Sequence, residues 1–158
     1  MFKRVLLATD FSEHARAAYP WAAEMARKSD GTVVLVHAFE DDLVAAAPAL
    51  SGYVQTEALD LGQYRDEFRR GSAAALAAAA VEIEALHSQV ETHLLEGGGR
   101  PWQTIVAAAT EHDCGVIVLS THGRGGLAHI LIGSTAEKIV RTAHCPVLTV
   151  HLGDQVKD

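Results

Sequence analysis

The sequence predicts an α/β sandwich, a single domain over residues 1–158 doubly wound on a five-stranded parallel sheet. Three observations lead there. Short, near-continuous apolar runs recur along the chain, as in strands buried on both faces. Helix-forming segments separate them, and such alternation builds parallel sheets with helices on both sides. The last strand–helix connection is a glycine-bearing loop, Ser120-Thr-His-Gly123-Arg-Gly-Gly-Leu-Ala-His-Ile-Leu-Ile-Gly133-Ser134-Thr135.

Taken in order, Lys3 to Thr9 is strand one, too short for a helix. Ser12 is placed to cap the next helix, whose apolar positions Ala15, Ala18, Tyr19, Ala22, Met25 and Ala26 recur at helical spacing. Pro20 lies inside that pattern and is expected to kink the helix, because proline removes a backbone donor and crowds the preceding turn. Gly31 closes the helix, and Thr32 to Ala38 is strand two. From Glu40 to about Tyr64 periodicity is lost among Pro48, Ser51-Gly52 and Gly62, which predicts a long loop, either a lid or a mobile connection. Asp66 to His87 is alanine-rich and predicts a helix. Val90 to Leu95 is strand three, and Gly97 to Pro101 breaks the chain with a proline where a helix begins. The helix from Trp102 to Glu111 follows, then strand four at Val116–Leu119, the glycine loop, a helix ending near Ala143, and strand five at Pro146–His151.

Composition narrows the functional classes. The chain is 49% hydrophobic and 21% charged with a net charge of −7, an ordinary globular balance. An acidic chain argues against nucleic acid or an anionic membrane as a general partner, since both require a basic face. No apolar run approaches a membrane span, and Asp10 interrupts the N-terminal apolar run too early for a signal peptide. Two cysteines, Cys114 and Cys145, make no disulfide framework, so the cytoplasm is the expected compartment.

The glycine loop converts the fold into a ligand expectation. In open parallel sheets ligands bind beyond the carboxyl ends of the strands, at the topological switch point. A helix N-terminus there offers unpaired N–H groups and the positive end of the helix dipole to a phosphate. Gly123 and Gly133 permit close backbone approach. Ser134 followed by Glu137 also fits a capping box, which needs no ligand. Asp10, at the end of strand one, suits either a turn or a ribose hydroxyl. Arg124 is a phosphate clamp or a solvated arginine, and His122 has no identifiable nucleophile beside it to make it a general base.

At this point Ala8-Thr-Asp10-Phe-Ser12-Glu, His37-Ala38, Gly99-Arg-Pro101-Trp-Gln-Thr-Ile105, the loop, and Cys145-Pro-Val-Leu-Thr-Val150 together resemble the universal stress protein family, in order and over nearly the whole chain. The family's nucleotide signature is Gly, two residues, Gly, nine residues, Gly, then Ser or Thr. Gly123, Gly133 and Ser134 match it, whereas Ser120 stands at the first glycine. The resemblance implies a Rossmann-like, adenine nucleotide alpha hydrolase-like fold and the family's ATP-binding subgroup. Carried over, it implies that Ala8 and Ala38 border adenine, that Asp10 accepts from the ribose hydroxyls or lies near the base, and that Thr9, Leu119, Ser120, His122, Gly123, Arg124, Gly133, Ser134 and Thr135 complete the ATP site. It also implies a homodimer formed through the C-terminal strand, residues 146–151.

The function so implied is that of an ATP-binding stress-response regulator rather than an enzyme. The alternatives are a slow ATPase with Mg²⁺ bridging the phosphates, or a dimeric interaction protein holding AMP, a cyclic nucleotide or nothing. No Walker-type Gly-Lys-Ser/Thr is present, nor the HExxH or Cys-x-x-Cys spacings of metal sites. One further constellation stands apart. His112-Asp-Cys114 precedes strand four and His144-Cys145 precedes strand five, so parallel pairing would bring them to the sheet's amino edge, as a metal or redox pair or as two buried reduced thiols.

Overall fold

The computed structural model describes residues 2–39, 61–86, 89–97, 100–121 and 132–156. The chain runs β1 (Arg4–Ala8), α1 (Glu13–Arg16), α2 (Tyr19–Lys28), β2 (Thr32–Phe39), α3 (Leu61–Glu84), β3 (Val90–Glu96), α4 (Pro101–Glu111), β4 (Val116–Ser120), α5 (Ser134–Thr142) and β5 (Val147–Val150). The five strands are parallel in the order β3-β2-β1-β4-β5, as the alternation predicts. Because β1 pairs with both β2 and β4, the strand order reverses between β1 and β4. That is the topological switch point.

Alternate strand residues face opposite layers, so the continuous apolar runs divide into two cores. Val5, Leu7, Val33, Leu35, Val116 and Val118 pack against α2 and α3 through Ala22, Ala26, Leu76 and Ile83. Leu6, Val34, Val36, Ile117 and Leu119 pack against α4 and α5 through Ile105, Ala109 and Ile139. Each fully buried Val, Leu or Ile contributes about 1.5–3 kcal/mol.

Two boundaries differ from the sequence expectation. The first helix is two helices, because Pro20 takes the second position of α2 instead of an interior one. Near a helix start its missing N–H breaks no bond, so the chain restarts after Ala17 and Ala18 rather than kinking. The long helix starts five residues early, at Leu61, and ends at Glu84 instead of His87. Gly62 and Tyr64, expected in the loop, therefore lie in its first turn, where a glycine interrupts little. The remainder of the predicted loop lies outside the described residues.

Gly71 lies within α3 with nothing within 4 Å of where a Cβ would stand. Gly71→Ala should therefore stabilise the protein by about 0.5–1 kcal/mol, read as a higher urea midpoint with unchanged slope.

The amino half of the sheet is tied by Arg4. Its Nε donates to the carbonyl of His112, the C-cap of α4, at 2.6 Å, and its guanidinium forks onto both Glu91 oxygens at 3.0 and 2.7 Å. His93 stacks on His112 with centroids 4.0 Å apart, and its Nε2 stands 3.9 Å from Glu91 Oε2, beyond hydrogen-bond reach. Burial, then the neighbouring His112 and Arg4 charges, lower the His93 pKa against the opposing pull of Glu91. The folded state therefore binds protons less readily than the unfolded chain. Stability is full above the ordinary imidazole value of 6.5 and is lost as pH falls below it toward the folded value. The denaturation midpoint should fall on acidification from neutrality, and His93→Gln should flatten that slope. An unchanged slope in the variant would exclude His93 as its source.

Candidate functional site

Three strand ends and one helix start meet at the carboxyl edge. The β1–β2 register pairs Ala8 with Val36, so Ala38 extends past the end of β1. The β1–β4 register pairs Leu7 with Val118; carried on, it sets Ala8 beside Leu119 and Thr9 beside Ser120. Ala8, Thr9 and Leu119 are buried, while Asp10, Ala38 and Ser120 are half-buried at the rim. The far side is closed by a backbone bond in which Gly133 N–H donates to the Thr121 carbonyl at 2.6 Å. The start of α5 is thus fastened to the exit of β4. His122, Gly123 and Arg124 lie outside the described residues.

The helix start does not take the capping-box form that the spacing allows. A capping box would require Ser134 as the N-cap, but Gly133 is the N-cap and Ser134 the first helical residue. Among the described residues no side chain caps the helix, and Glu137 pairs instead with Arg141 at 3.4 Å. The first intrahelical backbone bond is donated by Glu137 to Gly133. The N–H groups of Ser134, Thr135 and Ala136 precede that bond, at the positive end of the helix dipole.

Asp10 adopts the turn geometry. One carboxylate oxygen accepts from Ser12 N–H at 3.0 Å and Ser12 Oγ at 2.6 Å, and Ser12 Oγ in turn accepts from Ala15 N–H. The expected Ser12 cap is therefore formed, and it holds the Asp10 carboxylate at the end of β1.

Three further residues, Tyr19, His37 and Phe11, join Thr9 at this edge, and none of the three was given a place in the site from the sequence. The buried Thr9 hydroxyl shares a 2.8 Å hydrogen bond with Tyr19 and accepts from Phe11 N–H. Burial pushes the Tyr19 phenol up, keeping it neutral. His37, buried near the end of β2, donates from Nδ1 to the Thr9 carbonyl at 2.7 Å, since a carbonyl only accepts. Phe11 stacks on His37 at 4.4 Å and holds a φ of 65°, a left-handed conformation costly for a bulky side chain. Strain of this kind persists where neighbours over-determine the backbone, here at the switch point. The histidine beside Ala38 was the only local signal for this network; the other partners are brought together by tertiary packing.

At the opposite edge, the two cysteine-bearing turns do converge. Asp113, Cys114, His144 and Cys145 line one cavity of about 140 Å³ with Val106, Ala109, Thr110 and Ile117. Among the described residues, no group of three or more His, Cys, Asp or Glu side chains converges to hold a metal. Both thiols are free.

The model of the universal stress protein family matches residues 1–151. A universal stress protein of Thermus aquaticus is 35% identical over 150 residues, covering 95% of this chain and 99% of its own. Among solved structures, MJ0577 of Methanocaldococcus jannaschii superposes with a TM-score of 0.78 at 23% identity, covering 95% of this chain and 96% of that one. A universal stress protein in complex with cAMP matches with a TM-score of 0.65 at 21% identity, covering 95% and 97%. The Archaeoglobus fulgidus protein in complex with dAMP matches with a TM-score of 0.62 at 24% identity, covering 95% and 98%. No described helix is long and apolar enough to cross a membrane. With a family model spanning nearly the whole sequence and a relative of this identity over its full length, the chain belongs to the universal stress protein family.

Proposed function

We propose that the chain binds ATP at the carboxyl edge of its sheet and acts as a nucleotide-dependent stress-response regulator. The observation that carries this reading is the start of α5. It is capped by glycine alone, is bonded to the exit of β4, and presents its first-turn N–H groups beside the switch point. Those donors fit phosphate oxygens, which accept hydrogen bonds and favour the positive end of a helix. Ser134 and Thr135 add hydroxyl donors, and Gly133 admits the phosphate closely. Asp10, held by Ser12, would accept from ribose hydroxyls, and Ala8 and Ala38 would leave room for the adenine ring. The adenine nucleotides in the cAMP and dAMP complexes support the ligand class.

Purified protein should release an adenine nucleotide on denaturation, identified by chromatography and mass. ATP as the released species supports the reading; AMP or a cyclic nucleotide would favour a monophosphate ligand, and Ser120, in place of a glycine, is the residue behind that alternative. Steady phosphate release on adding ATP and Mg²⁺ would favour the ATPase.

The same reading includes a homodimer formed through β5. Among the described residues that strand has a paired neighbour on one side only, and Val140 and Leu152, on α5 and just after β5, are exposed. An apolar strand edge of this kind is a template for pairing with another copy. Light scattering at micromolar concentration should give twice the chain mass of 16.8 kDa. A monomer mass would count against the interface.

A further inference from the structure

The two cysteines occupy the edge of the sheet opposite the nucleotide site, and the chain between them is the segment that carries the phosphate seat. Cys114 ends a turn in which Asp113, at φ 52°, lets Cys114 N–H reach back to the Ala109 carbonyl at 2.8 Å. That turn carries the Cys114 side chain into the α4–α5 core rather than to solvent. Cys145 precedes β5, and the β4–β5 register pairs Ile117 with Val147. Carried back two residues, it sets Gly115 opposite Cys145, with Cys114 one residue further along. The Asp113 turn, not strand alternation, sets the Cys114 side chain on the face that Cys145 shares, at the start of the adjacent strand. Both side chains lie on the same face of the sheet and line the same cavity, whose volume leaves room for the sulfurs to turn toward each other.

We propose that Cys114 and Cys145 are a redox pair, closing to an intramolecular disulfide that ties together the two ends of the β4–glycine loop–α5 segment. The half-buried Cys145 is the attacking thiol and the buried Cys114 the resolving one. With a low-molecular-weight disulfide as oxidant, the Cys145 thiolate bonds to one oxidant sulfur and expels the other as a thiolate. Cys114 then gives up its contact with the His112 carbonyl, loses its proton to solvent, and attacks the Cys145 sulfur. The second oxidant sulfur leaves as a thiolate. Two protein thiols are oxidised by two electrons, and one oxidant disulfide is reduced to two thiols. Burial raises both thiol pKa values, Cys114 to about 11, so exchange is slow at neutral pH and the test is made at equilibrium.

The full chain is equilibrated across graded ratios of oxidised to reduced glutathione, quenched with acid, alkylated, and read by intact mass and peptide mapping. Both thiols should disappear together, with the mass falling by two hydrogens and one linked peptide pair containing Cys114 and Cys145. The product should remain one chain on a non-reducing gel and melt at a higher temperature than the reduced form, because the cross-link restricts the unfolded chain. C114S should stop at a glutathione adduct on Cys145. Thiols that titrate independently, a persistent glutathione adduct on Cys145 in the unsubstituted chain, a cross-linked dimer, or two thiols still free at the most oxidising ratio would each overturn the proposal.

Discussion

Gly133→Val should abolish nucleotide binding while leaving the fold intact. Gly133 caps α5 at φ −69° and ψ 155°, an extended conformation that a β-branched residue adopts without strain. Its N–H bond to the Thr121 carbonyl is retained by any residue except proline. What changes is the space above the cap, where two methyl groups would stand between the first-turn donors and a phosphate. Loss of those charge-assisted bonds should weaken ATP by about 100-fold or more, equivalent to roughly 2.7 kcal/mol. Titration calorimetry reads the loss, and an unchanged melting temperature without nucleotide separates it from unfolding. Binding that survives would place the phosphate elsewhere.

Gly31→Ala should destabilise the protein by about 1–3 kcal/mol, the cost of overpacking at a site whose neighbour is backbone. A Cβ at Gly31 would stand 2.5 Å from the Lys3 carbonyl oxygen, the acceptor for Thr32 N–H at the first β1–β2 bond. Relieving the clash means shifting the start of the central strand pair. The conformation itself is not the obstacle, because the left-handed residue closing α2 is Asp30, at φ 46°. Gly31 N–H then completes that helix end by bonding to the Ala26 carbonyl. The same glycine-to-alanine change is thus expected to have opposite signs at positions 31 and 71, decided by what lies where the methyl group would go. A urea midpoint for Gly31→Ala at or above that of the unsubstituted chain would show that the strand ends yield freely.

The sheet was legible in the sequence because strands buried on both faces must be apolar through their middles, and β1, β2 and β4 are, over Val5–Ala8, Val33–Val36 and Val116–Leu119. Helix starts were less legible. Pro20 reads as a kink from spacing alone, and only the restart after Ala18 shows that it occupies the second position of a new helix. Ser134 and Glu137 have the spacing of a capping box, yet the helix starts one residue earlier than that motif requires. A shift of one residue leaves the first-turn N–H groups without a side-chain cap. Local chemistry alone points to Asp10 and the Gly133–Thr135 turn as candidates. It does not point to the Thr9–Tyr19–His37–Phe11 network, because its members lie as far as 28 residues apart in sequence. Strand order, by contrast, brings the two cysteine turns together much as their positions before adjacent strands suggest.

The most direct test of the central claim is a calorimetric titration of ATP into nucleotide-free protein, repeated with Gly133→Val. The α5 start predicts saturable binding of one ATP per chain that the substitution removes. No heat at millimolar ATP in the unsubstituted protein, or equal binding by both proteins, would contradict it.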